Sequence, residues 1–160
     1  MDKERRLEEL AGRLRERGYR MTPQRMAVLR ALLESARHPS VEEMYRAIRP
    51  AYPMISRATV YKTIATLKEL GEVLELEVSD GHHRYDGYRA EPHPHLFCRR
   101  CGRIEDCLLE GVGALTAEAA ARTGYVGLSA RLDFYGLCPA CSTTGPQDGS
   151  ASRPALGHTV

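Results

Sequence analysis

A chain of 160 residues has room for one medium domain or two small ones, and 42% apolar with 28% charged residues is an ordinary globular balance. No run of about 18 apolar residues offers a membrane span, so a membrane protein is set aside. The net charge of +2 hides a split, with 15 Lys/Arg against 9 Asp/Glu in residues 1–70 and 8 against 12 in residues 71–160. That asymmetry suits a nucleic-acid face joined to something else, although a solvated charged surface gives the same split.

The opening MDKERRLEEL is charged and helical in pattern, unlike a secretory signal, so the expected location is the cytoplasm. Leu7, Leu10 and Leu14 recur at helical spacing, and Gly18 closes this first helix. Thr22 fits as N-cap and Pro23 as first residue of a second helix carrying the stripe Met26, Leu29 and Leu33. Ser40-Val41-Glu42-Glu43 is a capping box for a third helix, with Val41, Met44 and Ile48 on one face and Pro50 as stop. A fourth runs from near Ser56 to about Leu70, with Val60, Ile64 and Leu67 inward and Gly71 ending it.

The period then changes to two. Leu74, Leu76 and Val78 alternate with Glu75, Glu77 and Ser79 as in a half-buried strand. Asp80-Gly81 signals a tight turn, and His82 to Gly87 returns as the partner strand. Helices followed by a hairpin make a winged helix-turn-helix over residues 1–88, with His82 and His83 near the wing tip as surface or backbone-contacting residues. Two prolines in Glu91-Pro92-His93-Pro94-His95 forbid regular pairing, which predicts a hinge over 89–95. Leu96-Phe97 and Arg103-Ile104-Glu105 read as short strands. Leu108, Val112, Leu115 and Ala119 share a helical face, and Val126, Leu128, Ala130, Leu132 and Phe134 alternate as a long strand ending at Cys138. Residues 96–141 are thus a small α/β unit, the whole is α+β, and the Ser/Thr/Gly/Pro-rich stretch 142–160, including His158, is expected to be disordered.

The five cysteines fall as Cys98/Cys101, Cys138/Cys141 and a single Cys107. Paired C-x-x-C spacings in a chain without an export signal favour metal thiolates over disulfides. Four thiolates fill a tetrahedral site for structural zinc and leave no position for catalytic water. A competing partition groups His93 or His95 with Cys98 and Cys101, at the cost of stranding Cys138 and Cys141. Cys107 is expected to be a buried small hydrophobe. Five candidate ligands carry no sulfur: His38, Asp86, His93, His95 and Asp106. Imidazole and carboxylate together suit Fe(II) or Mn(II), while singly His38 also fits an exposed loop and Asp86 a turn cap. No H-E-x-x-H helix and no H-x-E with P-C-x-x-C is present, which argues against a zinc enzyme. A zinc-stabilised protein-binding module stays open on these residues alone.

Six stretches carry a resemblance: Arg20-Met21-Thr22-Pro23-Gln24-Arg25, His38-Pro39-Ser40, Ser56-Arg57-Ala58-Thr59-Val60-Tyr61, Arg84-Tyr85-Asp86, the run from His93 to Gly102, and Tyr135-Gly136-Leu137-Cys138. Over roughly residues 5–142 the chain resembles the ferric uptake regulator family. The resemblance implies a metal-assisted repressor with an N-terminal winged helix and a C-terminal dimerisation domain. It implies structural zinc on Cys98, Cys101, Cys138 and Cys141, and a regulatory Fe(II) or Mn(II) on His38, Asp86, His93, His95 and Asp106. Aspartate at the position of Asp106 is similar to the peroxide-sensing branch, in which oxidation of His38 or His93 would release DNA. An iron sensor, or a zinc or manganese uptake regulator, is the alternative. Iron-uptake members often place further ligands where Pro92, Pro94 and Ala130 stand, so a second sensing site is not expected here. The helix after Ser56 would read the major groove of an A/T-rich palindromic operator through Arg57, Ala58, Tyr61 and Lys62, with core packing as the other role for Tyr61. Arg20 resembles a residue placed in the minor groove. The partners implied are double-stranded DNA and a second copy of the chain, with no membrane.

Overall fold

The computed structural model describes residues 2–34, 38–78 and 83–143. Four helices lead: α1 (Lys3–Glu16), α2 (Pro23–Glu34), α3 (Val41–Ile48) and α4 (Arg57–Glu69). Their starts are set by local chemistry. Thr22 Oγ1 accepts from Arg25 N at 3.2 Å, Ser40 and Glu43 form a reciprocal capping box, and Ser56 Oγ accepts from Thr59 N at 3.1 Å. Each helix turns its aliphatic stripe inward, so Leu10, Leu14, Val28, Leu29, Leu32, Met44, Val60, Ile64 and Leu67 form one fully buried core.

The wing is an antiparallel pair, β1 (Leu74–Glu77) with β2 (His83–Asp86), in register Leu74 to Asp86 and Leu76 to Arg84. The expected Asp80-Gly81 turn and His82 lie outside the described residues. Strand alternation sorts the two faces of this pair. Tyr85 turns into the helical core, whereas Leu74 and Leu76 face a second cluster with Phe97 and Ile104. Asp86, paired with Leu74, shares that second face.

The rear unit is a three-stranded sheet ordered β4-β3-β5, from β3 (His95–Cys98), β4 (Ile104–Asp106) and β5 (Asp133–Gly136). β3 pairs antiparallel with β4 and parallel with β5, the crossover carrying α5 (Val112–Thr123), and α6 (Pro139–Ser142) follows. Several expectations need correcting. The long strand over Val126–Phe134 is not formed, because Gly124 and Gly127 take φ of +75° and +69° and break an extended run. Val126 is 93% exposed, and pairing starts only at Asp133, where β3 offers a partner. Leu108 precedes α5 rather than belonging to it. Cys107 is half-buried rather than buried, and His95 is the first residue of β3. Ser142 closes α6, while 144–160, with His158, lie outside the described residues.

Candidate metal centres

The thiols meet because β3 and β5 run parallel and end together. Cys98 closes β3, and Arg99 N donates to Gly136 O at 2.8 Å, which sets the end of β5 beside it. Gly102, at φ +69°, turns the chain back so that Cys98 N reaches Arg103 O at 2.8 Å. Cys138, two residues past β5, donates its N–H to Cys98 Sγ at 3.3 Å. The sulfurs of Cys98, Cys101, Cys138 and Cys141 all lie within 4.8 Å of one another, and none is in a disulfide. Cys101 and Cys138 are 3.8 Å apart at sulfur, and a tetrahedron with Zn–S bonds of about 2.3 Å has edges of about 3.8 Å. Burial works to raise the Cys98 thiol, but N–H groups of Cys101, Cys138 and Arg100 aim at its sulfur and bring it down to about 6. Cys141 is pushed up to about 12 by its hydrogen bond with Cys138, by burial, and by the other two sulfurs. Four thiols packed this closely ionise together only around a cation, and the donor set fits zinc.

The second cluster gathers side chains from both ends of the fold. His38 sits in the α2–α3 connection at φ +50°, and the next residue's carbonyl, Pro39 O, accepts from Tyr85 N at 3.2 Å. That bond lays the loop along β2, beside Asp86. His93 and His95, two apart, approach the same point from the start of β3, and Asp106 approaches from the end of β4, in register with His95. His38 Nε2 lies 2.8 Å from Asp106 Oδ1, and His93 Nε2 lies 3.3 Å from both Asp86 Oδ2 and Asp106 Oδ1. His95 Nε2 is 3.8 Å from Asp106 Oδ1, and ligand atoms of His38, Asp86, His95 and Asp106 fall within 4.8 Å of one another.

The polar bookkeeping of this cluster is incomplete in the protein alone. His38 Nε2, Asp86 Oδ2, His93 Nε2 and His95 Nε2 are buried, and despite these short separations none of them meets a partner among the described residues at hydrogen-bonding angles. Each such atom costs about 1–3 kcal/mol when left unsatisfied. The other side-chain atoms of His93 and Asp86 are satisfied, which fixes their orientation. His93 Nδ1 donates to Glu91 O at 2.8 Å, and Asp86 Oδ1 accepts from Tyr88 N at 2.7 Å and Arg89 N at 3.3 Å. Burial, then the neighbouring His93 and His38, pulls His95 down to about 4, so its imidazole is neutral. Burial alone would raise Asp106, yet His38 and His93 keep it below the usual carboxylate range. Imidazoles and carboxylates whose free atoms face one another in this way fit a divalent cation. Asp106, with its side chain 32% exposed, is the member of the cluster open to solvent, against 1% for Asp86 and His95. The mixed histidine–cysteine partition is not formed, since His95 and Cys98 stand three apart on β3 and face opposite ways. Pro92, Pro94 and Ala130 line one cavity of about 840 Å³, where they bring no donor side chain.

On α4, Ala58, Tyr61 and Lys62 are exposed, and Tyr61 at 57% is not a core residue. Arg57 is otherwise engaged. It donates to Glu42 through Nε at 2.8 Å and Nη2 at 3.2 Å, with its guanidinium 4.6 Å over the Tyr45 ring. That fork engages two of the five guanidinium donors of Arg57 and holds the group beside α3. Arg20 is exposed, and its carbonyl accepts from Arg25 at 2.6 Å. Leu109, Leu115, Tyr125, Phe134 and Tyr135 are exposed on the rear unit, and α5 buries no residue, a surface that calls for a partner. Sequence reasoning missed the backbone groups that orient Asp86 and His93, which no residue type signals. It also missed Glu42 and the buried Arg6, which looks like any other charge in its helix.

The sequence profile described as the ferric uptake regulator family matches residues 16–135. A peroxide-responsive repressor, PerR, of Staphylococcus aureus is 37% identical over 135 residues, covering 84% of this chain and 90% of that one. Among solved structures, a zinc-bound manganese uptake regulator is similar at 36% identity and a TM-score of 0.64, over 82% of this chain and 98% of its own. A zinc uptake regulator complexed with zinc and DNA is similar at 26% identity and a TM-score of 0.67, over 89% and 96%.

Proposed function

The chain belongs to the ferric uptake regulator family, and from that membership we propose that it is a metal-dependent, peroxide-responsive transcriptional repressor that binds operator DNA as a homodimer. Members of this family are regulators rather than enzymes, and this chain acts through binding equilibria without turnover. No helix of the described residues is long and apolar enough to cross a membrane, and in this reading the protein works in the cytoplasm, where thiolates stay reduced.

We assign residues 1–88 to the DNA-reading domain, 89–95 to the hinge, and 96–141 to dimerisation and zinc binding. Cys98, Cys101, Cys138 and Cys141 would hold zinc as a staple between the ends of β3 and β5. His38, Asp86, His93, His95 and Asp106 would hold the regulatory Fe(II) or Mn(II). His38 and Asp86 belong to the reader, and the other three to the hinge and rear unit, so a cation shared by these five side chains would hold the two units in one orientation. In a symmetric dimer that orientation sets the separation of the two α4 helices, which must match half-sites on the duplex. Ligand binding favours the DNA-competent orientation only by its differential affinity for it. Ala58, Tyr61 and Lys62 on the open face of α4, together with Arg57 and Arg20, make the DNA contacts in this reading. When bound, ferrous iron supplies the redox chemistry with peroxide that adds oxygen to an adjacent imidazole. Oxidation of His38 or His93 removes a lone pair from the set and loosens the hold of reader on hub.

What carries this reading is the convergence of four buried, partnerless imidazole and carboxylate atoms from both units. The test has two steps. Operator binding is measured with and without Mn(II) or Fe(II), and the Fe(II)-loaded protein is then treated with hydrogen peroxide and mapped by mass spectrometry. The expected result is metal-dependent binding, lost on treatment, with an added oxygen on His38 or His93. Binding indifferent to metal overturns the repressor reading, and unmodified histidines overturn the peroxide response.

A further inference from the structure

Arg6 is a charged residue of α1 that the fold buries to 8% exposure, far from both metal clusters in sequence. Buried guanidinium groups are rare unless paired, and this one is fully engaged. Its Nε donates to Gly87 O at 2.9 Å and its Nη2 to Glu72 O at 2.8 Å, while Nη1 lies 3.1 Å from the Glu72 carboxylate and 3.5 Å from that of Glu9. The other Glu72 oxygen is 3.1 Å from Arg13, also on α1.

The two carbonyls that Arg6 bridges flank the wing. Glu72 precedes β1 and Gly87 follows β2, and the strand register sets Leu74 opposite Asp86 between them. Each acceptor is tied to a functional element. Glu72 N donates to Leu67 O at 2.9 Å, over a turn in which Gly71 stands at φ +68°, so Glu72 follows the end of α4. Gly87 is bonded directly to the candidate ligand Asp86, and it has no slack. A Cβ added there would lie 2.6 Å from Leu32 Cγ on α2, and the Tyr88 hydroxyl donates to Leu33 O at 2.7 Å. Asp86 is thus joined, through a glycine packed closely against α2, to a guanidinium whose other arm holds Glu72 at the end of α4.

Building on the metal-dependent repressor reading, we propose that Arg6 is a positioning residue that couples the His38–Asp86–His93–His95–Asp106 cluster to the DNA-reading helix by fastening the open base of the wing. It touches neither metal nor DNA. A lysine in its place keeps the charge and the apolar stem but has no planar fork, so it cannot hold both carbonyls in one geometry.

The test uses the full-length, zinc-loaded protein and a duplex selected from a random pool by the wild type with Mn(II). DNA affinity is measured by fluorescence anisotropy at one salt concentration, with and without Mn(II), for wild type, Arg6→Met and Arg6→Lys. Allosteric coupling of this kind runs to about 5–150-fold, and both variants are expected to bring the Mn(II)-induced gain to within about twofold of none. Mn(II) binding in the absence of DNA is expected to change by less than about threefold, and the reciprocal tightening of Mn(II) by DNA is expected to vanish with the gain. Arg6→Lys carries the test if Arg6→Met does not fold. A folded variant that keeps the wild-type gain, or that loses affinity equally with and without Mn(II), overturns the proposal. A wild type indifferent to Mn(II) overturns the repressor reading on which it rests, whereas a responsive wild type beside equally responsive variants overturns the role of Arg6 alone.

Discussion

Asp86→Asn should stabilise the cluster without its cation and disable it with one. Oδ1 of Asp86 accepts from the amides of Tyr88 and Arg89, and an asparagine oxygen takes over both bonds. Oδ2 faces His93 Nε2 at 3.3 Å, and both atoms are buried without a hydrogen-bond partner among the described residues. Because Glu91 O can only accept, His93 Nδ1 carries a proton, and in the singly protonated ring Nε2 offers a lone pair. An asparagine NH2 donates to that lone pair and converts two orphaned atoms into one hydrogen bond. Relieving one buried unsatisfied group is worth about 1–3 kcal/mol. For a chain of this size that is a rise in melting midpoint of about 2–12 °C. In the wild type, Mn(II) at about one hundred times its Kd adds about 2.7 kcal/mol, or about 5–11 °C, and the neutral amide variant is expected to lose this gain. Differential scanning calorimetry of the zinc-loaded protein, at fixed protein concentration with and without Mn(II), reads both effects. A metal-free Asp86→Asn that melts below the wild type refutes the reasoning, as does an Mn(II) gain equal to the wild type's.

Removing zinc from Cys98, Cys101, Cys138 and Cys141 with a strong chelator should unfold the rear unit and dissociate the dimer. Structural zinc is worth an apparent 10–16 kcal/mol or so in small domains, and the rear cluster is small, with Phe97 and Ile104 buried against Leu76 of the wing. Sedimentation alongside thiol titration checks this, and an intact dimer with all cysteines reactive would count against it. The folded pKa of His95, about 4, lies below its ordinary 6.5, so the unfolded chain binds more protons between those values. Stability without regulatory metal is therefore complete above about pH 6.5 and falls as the pH drops toward about 4; denaturant midpoints that stay flat across this window contradict it. Lys62→Ala should weaken DNA binding at all sequences and flatten the log K against log salt slope by about 0.9, as loss of one phosphate contact does. An unchanged slope removes Lys62 from the interface.

The helices were legible in the sequence because their signals are short-range. A cap and its target are three residues apart at Ser40 and Glu43, and an apolar stripe repeats within one or two turns, as at Val60, Ile64 and Leu67. Alternation over Val126–Phe134 misled because it reports only side-chain type. It is blind to the left-handed turns at Gly124 and Gly127 and to the four-residue length of β3 available as partner. The spacing of Cys98, Cys101, Cys138 and Cys141 implied a site by residue type, but the parallel pairing of β3 with β5 is what brings the pairs together.

By itself the sequence determined residue chemistry and local geometry: which side chains can bind a metal, where helices start, and that His93 and His95 share a side. Only the tertiary structure decided that His38 lies along β2 through Pro39 O, that Asp86 faces the rear sheet, that Arg57 is held by Glu42, and that Arg6 closes the wing. The physical reason is that each of these depends on strand parity and loop closure between segments distant in the chain. One residue of register would turn Asp86 to the opposite face.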